Sequence, residues 1–505
     1  MLLLLESLLL LAAPLSAAQA AVPPAAAGGA PGVLVIAIDA LRADRVHALG
    51  YDRATTPVLD TLASEGTLFR QCMSTAPWLL PAHVSLLTGC DPNVARRALD
   101  KSIERQVERN WHVPARVPHA AVEWLTGGHA TAAFLDHPWI SELYGMHVGF
   151  SHFDARESTS PPRGLEHNAA ALLGWLRELP REQAWFAYLH VHDLERIWSE
   201  PDPMRDSLFP PRQGGERVPA VSNEEPCFHA IPPSRWDGGR HTLGEYQARY
   251  DGALHQLDER LGRLFAELRA MNRMGTTTIA VVGSFGLQFG EAGLYLDHGG
   301  LSVADLHVPL LIRPAPAQDR ARGRAIDEVV SSADLAPTLL ELGGLPVPAG
   351  MHGVSLARWL AREAPPPDAP REYAIATCGL QQGYVLFGRQ WVLEILFPGE
   401  TSSPSLVRSW FGDSDLEGRR SEYRERVYDR FATPVPAWNH RSPPPAEVLD
   451  RIKQHASRWV LNIDQMRRVL HTTGLRRDVT PEQIRELVRL GYLGSDWAPA
   501  PVEQR

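Results

Sequence analysis

The sequence is poor in cysteine and contains no block of charge of one sign. Its 505 residues include four cysteines, which lie far apart and form neither a CxxC pair nor a zinc-type spacing. The formal net charge of −9 is not concentrated in any run of like charge, which argues against a nucleic-acid-binding protein and against a basic membrane-surface role. Hydrophobic residues make up 44% and charged residues 22% of the chain, a balance that predicts one large folded domain with a smaller one.

The N-terminal apolar run is too short and too interrupted to predict a membrane span. Residues 1–21 are rich in leucine and alanine, and an Ala-Gln-Ala sequence precedes Ala21. We therefore predict a signal peptide over 1–21 and a flexible leader over 22–32, with a secreted or periplasmic location and no membrane span in the mature chain. A misplaced start codon is the alternative, because the first residues contain no lysine or arginine and Glu6 interrupts the apolar stretch.

Export would place the thiols in a compartment that permits disulfides. A bond between Cys72 and Cys90 is then one possibility, and isolated buried or free thiols are the other. The sequence leaves both open.

Short continuous apolar runs alternate with helical patterns over about the first 360 residues. Such runs are typical of strands buried on both faces of a parallel sheet. They cover residues 32–38, 131–135, 185–189 and 277–283. Apolar residues at spacings of three and four predict a helix over 246–269. The alternation predicts a doubly wound α/β domain, with Asp39 at the carboxyl end of the first strand, where such sheets bind ligands.

Composition divides the rest of the chain. We predict the α/β domain over 33–361, with a surface insertion at 196–244 that is rich in proline and charge and folds over the sheet edge. A proline-rich linker follows at 362–372, and then a C-terminal subdomain over 373–505 with terminal helices. Residues 384–393 predict a hairpin, and a capping box with proline at the first helical position predicts a helix that starts near Thr480.

The segment from Ala76 to Gly89, APWLLPAHVSLLTG, resembles the signature of the sulfatase family. In that signature a cysteine or serine, converted to formylglycine, is followed two residues later by proline, then by a small and a basic residue, then by a run like SLLTG. Leu79 occupies the nucleophile position. The leucine side chain has no lone pair and no acid–base chemistry. The chain is therefore similar to a sulfatase in the spacing of the signature but lacks its nucleophile.

The resemblance extends over nearly the whole mature chain. Similar segments, in the family's order, lie at residues 38–44, 149–153, 250–264, 308–313 and 331–340. Their order implies the alkaline-phosphatase-like fold: a mostly parallel, doubly wound sheet flanked by helices, with a small C-terminal α+β subdomain. A fold does not by itself imply a function, so each site position is considered separately.

The resemblance implies hydrolysis of sulfate esters with a divalent cation, usually calcium, held by carboxylates. Asp39 is the one retained ligand position, although an aspartate that caps the following turn is the alternative. Ala40 stands where many members have a second aspartate. Phe285 takes the position of a late aspartate in the run SFGLQFGEAG, in which Glu291 persists. A single carboxylate would not hold calcium, which is the usual cation of the family, so we expect no cofactor.

Three histidines are candidates for the remaining catalytic groups. His83 stands where the family has arginine or histidine beside the nucleophile, and His298 stands where a lysine or histidine contacts the sulfate group. His190 begins the segment HVHDLE, which resembles the family's His-x-x-Asp-Pro-His, but Glu195 replaces the second histidine. No residue is predicted as catalytic beyond these candidates.

The leading hypothesis is a sulfatase-like pseudoenzyme that binds an unknown ligand or protein partner. The alternative is a sulfuric or phosphoric ester hydrolase with a rearranged metal site, for example a zinc site that activates water. Its ligands would come from Asp39, His83, His190, His192, Asp193, Glu195, Asp297 and His298. A third hypothesis, a purely structural or interaction protein, depends on Trp78, Trp139, Trp185 and Trp198 near the expected cleft, although such residues more often pack in the core.

Overall fold

The computed structural model is built on an eight-stranded mixed sheet with helices packed against it. It describes residues 30–95, 113, 117–155, 163–198, 202–212, 216–222, 229–291, 293–315, 320–361, 366, 369–377, 383–396, 424–429 and 445–470. The predicted signal peptide, most of the predicted leader, Cys227, Cys378 and the helix expected near Thr480 lie outside these residues.

The strands alternate with helices along the first 360 residues. The strands are β1 (Gly32–Ile38), β2 (Thr67–Met73), β3 (Ala130–Leu135), β4 (His152–Ala155), β5 (Trp185–Val191), β6 (Thr277–Gly283), β7 (Gln288–Phe289), β8 (Tyr295–Asp297), β9 (His307–Arg313), β10 (Arg324–Ser331), β11 (Ala374–Thr377), β12 (Gly383–Phe387), β13 (Trp391–Leu396) and β14 (Arg424–Asp429). The helices are α1 (Pro57–Glu65), α2 (Leu79–Thr88), α3 (Pro92–Ala95), α4 (Ala120–Thr126), α5 (Gly164–Glu178), α6 (Asp193–Arg196), α7 (Pro203–Ser207), α8 (Leu243–Ala270), α9 (Val303–Leu306), α10 (Leu335–Leu342), α11 (Ala357–Leu360) and α12 (Ala446–Leu470).

The large sheet has the order β10-β2-β9-β6-β1-β5-β3-β4. Strand β9 runs antiparallel to both of its neighbours, and the other pairings are parallel. Every residue of β1, β5 and β6 is buried, as the continuous apolar runs predict for strands covered on both faces. The predicted fold class is confirmed.

The start of β1 depends on a residue without a side chain. Gly32 is the first residue of β1, and a Cβ there would lie 2.2 Å from the ring of Trp185, which it faces on β5. The ordered sheet therefore begins one residue before the predicted domain boundary, at the last residue of the segment assigned to the leader. The backbone N–H of Ala30 also donates to the carbonyl of Arg181 at 3.0 Å.

Helix α8 anchors the predicted insertion. The helix begins with a capping box formed by Thr242 and Glu245, and most of its apolar stripe is buried. Within the insertion, α7 packs against α8, and Arg249 of α8, which is buried, bonds Asp237 at 2.8 Å. Residues 203–207 are thus helical, because Asp202 accepts the first free N–H groups of α7.

The C-terminal residues form a second, antiparallel sheet with the order β11-β12-β13-β14. Strands β12 and β13 pair from Gly383↔Leu396 to Phe387↔Val392, over the segment predicted as a hairpin. Ile452 and Ala456 of α12 pack against this sheet.

Two further observations concern export. No helix in the described part of the chain is long and apolar enough to cross a bilayer. Cys72 and Cys90 are both buried free thiols, which decides the question that the sequence left open in favour of isolated thiols.

Candidate functional site

Asp39 lies directly after β1, at the carboxyl end of the large sheet, and is fully buried. Its backbone N–H donates to the carbonyl of Val191 at 2.9 Å, which ties it to the end of β5. The next residue, Ala40, has a φ of 54°, in the left-handed region that non-glycine residues seldom adopt. The hydroxyl of Tyr250 donates to the carbonyl of Ala40 at 2.6 Å and holds this turn.

Both oxygens of the Asp39 carboxylate are surrounded by donors. Oδ1 accepts from Nε2 of His83 at 2.9 Å and from the hydroxyl of Ser284. Oδ2 accepts from Nε2 of His190 at 2.7 Å and from Nδ1 of His192 at 2.8 Å. Because an ionised carboxylate only accepts hydrogen bonds, each of these ring nitrogens carries a proton. We call these five residues the Asp39 cluster.

The proton arrangement of His190 follows from its second contact. The backbone N–H of Asp136 donates to Nδ1 of His190 at 3.1 Å. A nitrogen that accepts a hydrogen bond has no proton, so His190 is neutral and its proton lies on Nε2. Nε2 of His190 therefore donates its hydrogen bond to Asp39.

The electrostatics of Asp39 match this geometry. Burial alone would raise the pKa of Asp39, but its contacts with His190 and His83 and the hydrogen bond from His192 outweigh burial and hold the pKa well below its ordinary value. The carboxylate is thus ionised.

Helix α2 brings an apolar side chain and a histidine to the same face. Leu79 is its first residue and His83 lies four positions later, so the two side chains lie on one side of the helix. Leu79 is buried in the main core. His83 also contacts the hydroxyl of Tyr188 through Nδ1 at 2.6 Å.

Phe285 follows the serine that bonds Asp39 and is completely buried. Its ring lies 4.6 Å from the ring of His298, measured between centroids. The loop beyond it keeps its shape through Glu291, which bonds Arg42 at 2.6 Å and accepts the N–H of Phe289. The glutamate that persists from the family motif therefore holds the loop.

Glu195, Arg235, Asp297 and His298 form a second group, which we call the Glu195 cluster. Arg235, from the insertion, bonds Oε2 of Glu195 at 2.5 Å and lies 4.0 Å from Asp297. Nε2 of His298 lies 3.9 Å from Oε1 of Glu195. Burial would raise the pKa of Glu195, but Arg235, His298 and His192 lower it below its ordinary value, so this carboxylate is also ionised.

Asp193 belongs to neither cluster. Its carboxylate accepts the N–H of Leu165 at 2.9 Å, in the first turn of α5, and bonds Arg260 at 2.9 Å. The strand pattern no longer applies there, because β5 ends at Val191 and Asp193 begins α6. The expectation that Asp193 supplies a metal ligand is therefore not supported by its position.

The aromatic residues named as a possible interaction surface mostly pack in the core. Trp139, Trp185 and Trp198 are buried, and Trp78 is half-buried with its ring 5.6 Å from that of Trp139.

Comparison with known proteins identifies the family. The Sulfatase family profile matches residues 31–108 and 126–345. The chain belongs to the sulfatase family. The multifunctional alkaline phosphatase superfamily protein PehA of Trinickia caryophylli is 32% identical over 405 residues, which cover 66% of this chain and 77% of PehA.

Two further relatives show how far the likeness extends. The extracellular sulfatase SULF-1 homolog of Drosophila melanogaster is 32% identical over 103 residues, which cover 20% of this chain and only 9% of that protein. The phosphonate monoester hydrolase of Agrobacterium radiobacter superposes with a TM-score of 0.62 and 18% identity, covering 86% of this chain and 96% of that one. The latter likeness shows the shared fold.

The residues of the Asp39 cluster do not fit the calcium ion that the family implies. Calcium takes about six to eight oxygen ligands, whereas this cluster offers one carboxylate, one hydroxyl and three imidazoles, and Phe285 provides no oxygen. Zinc accepts imidazole, and ligand atoms of Asp39, His190 and His192 lie within 4.8 Å of one another. The proton on Nε2 of His190, however, leaves no lone pair there for a metal.

Sequence reasoning missed three partners of these clusters. Ser284 precedes a recognised position but was not named as a contact, and Tyr188 lies within a strand that reads as core. Arg235 lies in the segment 196–244, which was predicted as a surface insertion. The alternation of side chains on β5 points Tyr188 and His190 to one face, which was the available signal for Tyr188.

Proposed function

We propose that this chain is a sulfatase-fold pseudoenzyme: an exported protein that keeps the family's fold and cleft and has a binding or accessory role in place of ester hydrolysis. The observation that carries the proposal is Leu79 at the first position of α2, buried where the family places its nucleophile. A hydrocarbon side chain can neither attack a sulfur or phosphorus centre nor accept a proton.

The Asp39 cluster supports the same proposal. A catalytic cation would need the lone pairs of the Asp39 carboxylate, but four internal donors already use them. Exchanging those donors for a metal would leave buried N–H groups without acceptors, which is costly. The cluster therefore stabilises the fold in the position where the family binds its cation.

Export is part of the proposal. It is supported by the predicted signal peptide and by a relative whose name describes an extracellular sulfatase.

The test is a turnover assay of the purified mature chain with 4-nitrophenyl sulfate, 4-nitrophenyl phosphate and 4-nitrophenyl phenylphosphonate. We expect no release of nitrophenol above the rate of an Asp39→Ala variant. Turnover by the wild type that a folded Asp39→Ala variant loses, with folding checked by circular dichroism, would overturn the proposal, because it would show a working site that includes Asp39.

The second candidate is an ester hydrolase with a rearranged metal site. The observation that favours it is the proximity of ligand atoms from Asp39, His190 and His192. It requires the proton of His190 to move from Nε2 to Nδ1. Nε2 could then bind a metal, and Nδ1 would no longer accept from the N–H of Asp136. This candidate predicts turnover that rises with added zinc and is abolished in His190→Ala, whereas zinc-independent background rates in both proteins would exclude it.

A further inference from the structure

The two carboxylate oxygens of Glu195 have different surroundings. Oε2 accepts from Nη2 of Arg235 at 2.5 Å, and Nη1 of the same guanidinium bonds the main-chain carbonyl of Glu195 at 2.5 Å. Oε1 is buried and has no hydrogen-bond partner among the described residues. A buried, ionised oxygen without a donor is costly, so Oε1 is a position where a donor from outside the chain would be stabilised.

His298 faces this oxygen. Its Nε2 lies 3.9 Å from Oε1, which is too long for a hydrogen bond. Its Nδ1 is also buried without a partner in the described part of the chain, and its ring packs against Phe285. Because the side chain of His298 is 23% exposed while that of Glu195 is 4% exposed, the pair can be approached from the side of the histidine.

The spacing selects the kind of atom that fits between the two residues. One atom can lie about 2.8 Å from both Oε1 and Nε2, which is a normal hydrogen-bond length. That atom must donate to Oε1, since an ionised carboxylate only accepts. With the ring proton of His298 placed on Nε2, the nitrogen that faces Oε1, the same atom must also accept from Nε2–H. Sulfate ester oxygens cannot donate, and an ammonium group cannot accept. A hydroxyl group does both.

We propose that Glu195 and His298 form a hydroxyl-binding subsite, and that a hydroxyl of a neutral carbohydrate fills it, where a sulfate oxygen cannot donate to Oε1. The proposal rests on the proposed function, because a ligand held in this way is bound and not hydrolysed. It also goes beyond it, since Glu195, which stands where the family has a histidine, offers a buried acceptor oxygen that a hydroxyl can bond and a sulfate oxygen cannot.

Titrations with three probes test this subsite: methyl galactoside, methyl galactoside 6-sulfate and inorganic sulfate, each followed by saturation-transfer NMR. We expect the wild type to bind the neutral sugar at least about tenfold more tightly than its sulfate ester. Glu195→Gln should weaken binding of the neutral sugar about tenfold, because a charge-assisted hydrogen bond becomes a neutral one, and should strengthen binding of inorganic sulfate.

Two variants keep the test falsifiable. His298→Gln should weaken binding of the neutral sugar without strengthening binding of inorganic sulfate, since it removes no negative charge. Glu267→Gln is the same substitution at an exposed carboxylate that pairs with Arg177, and it should leave the affinity for every probe unchanged. Circular dichroism establishes that each variant is folded.

Two results would overturn the subsite: tighter binding of the sulfated sugar by the wild type, or a Glu195→Gln variant that binds all probes like the wild type. A third is no binding of the neutral sugar at millimolar concentration, which would mean that water alone occupies the position. Release of free sulfate from the ester in the same samples would instead contradict the proposed function.

Discussion

Asp39 and Glu195 are two buried, ionised carboxylates at the same end of the sheet, and they differ in how completely the protein satisfies them. Asp39 accepts from four side chains that come from α2, from the end of β5 and from the end of β6. Glu195 has an arginine on one oxygen and no hydrogen-bond partner on the other within the described residues. The Asp39 cluster, in which both carboxylate oxygens are bonded, resembles a structural core. The Glu195 cluster, in which one carboxylate oxygen has no partner among the described residues, resembles a binding position.

The difference follows from the origin of the partners. The donors to Asp39 come from elements that converge on the carboxyl end of the central strands, so the fold itself brings them together. Arg235 comes from the segment 196–244, which the sequence predicted as a surface insertion and not as part of the site. Under the proposed function, the residues at the family's cation position act as internal packing, while Glu195 and Arg235 lie at the position of its second histidine.

The largest expected effect separates the two carboxylates by stability. Asp39→Asn replaces an acceptor of four hydrogen bonds with an amide that donates from one side, which leaves buried donors unsatisfied. We expect the free energy of unfolding to fall by about 3–5 kcal/mol, measured by urea denaturation at neutral pH. Asp327→Asn, at an exposed carboxylate paired with Arg70, is the matched control and should change stability by less than about 0.5 kcal/mol. Equal effects of the two variants would contradict the account.

A histidine without a carboxylate partner sharpens the comparison. His119 is buried, and burial, with a smaller contribution from His147, lowers its pKa to about 4. Because the folded pKa lies below the unfolded value near 6.5, stability is full above pH 6.5 and is lost as the pH falls toward 4. The expected loss from this residue is about 3 kcal/mol.

His119→Asn tests this expectation. Asparagine can still accept the N–H of Ala121 that the ring caps at the start of α4, but it does not titrate. Urea denaturation at pH 7 and pH 5 should therefore show a smaller decrease for the variant than for the wild type. An unchanged pH dependence would show that other groups cause the acid sensitivity.

The smallest expected effect is at the open carboxylate. Glu195→Gln keeps an oxygen for Arg235 and has no bond to lose at Oε1, so we expect a change of about 1 kcal/mol in the free energy of unfolding. The same urea experiment measures it beside Asp39→Asn. A loss as large as that of Asp39→Asn would mean that Glu195 is structural, and would remove the distinction between the clusters.

The sequence predicted the fold well because its signals are local. Continuous apolar runs predicted β1, β3, β5 and β6, and the spacing of apolar residues predicted α8, which the structure extends at both ends to Leu243–Ala270. The capping box at Thr242 explains its earlier start, and this signal was present in the sequence. The helix α7 was harder to predict, because a five-residue helix carries too little periodicity.

The site was predictable only where a family pattern or strand alternation reached it. Asp39, His83, His190 and His192 were named from the sequence, and the structure brings them together. Asp193 was named as well but caps α5, because the chain leaves the strand after Val191. The contact between Arg235 and Glu195 joins residues 40 positions apart across an irregular segment, and no local signal encodes such a contact.

The metal content of the purified mature protein tests the central claim most directly. Elemental mass spectrometry, without metal added during purification, should find no calcium or zinc in stoichiometric amount, because the donors of the Asp39 cluster satisfy its carboxylate internally. About one metal ion per chain, lost in His190→Ala, would contradict this account and would establish the cluster as a metal site.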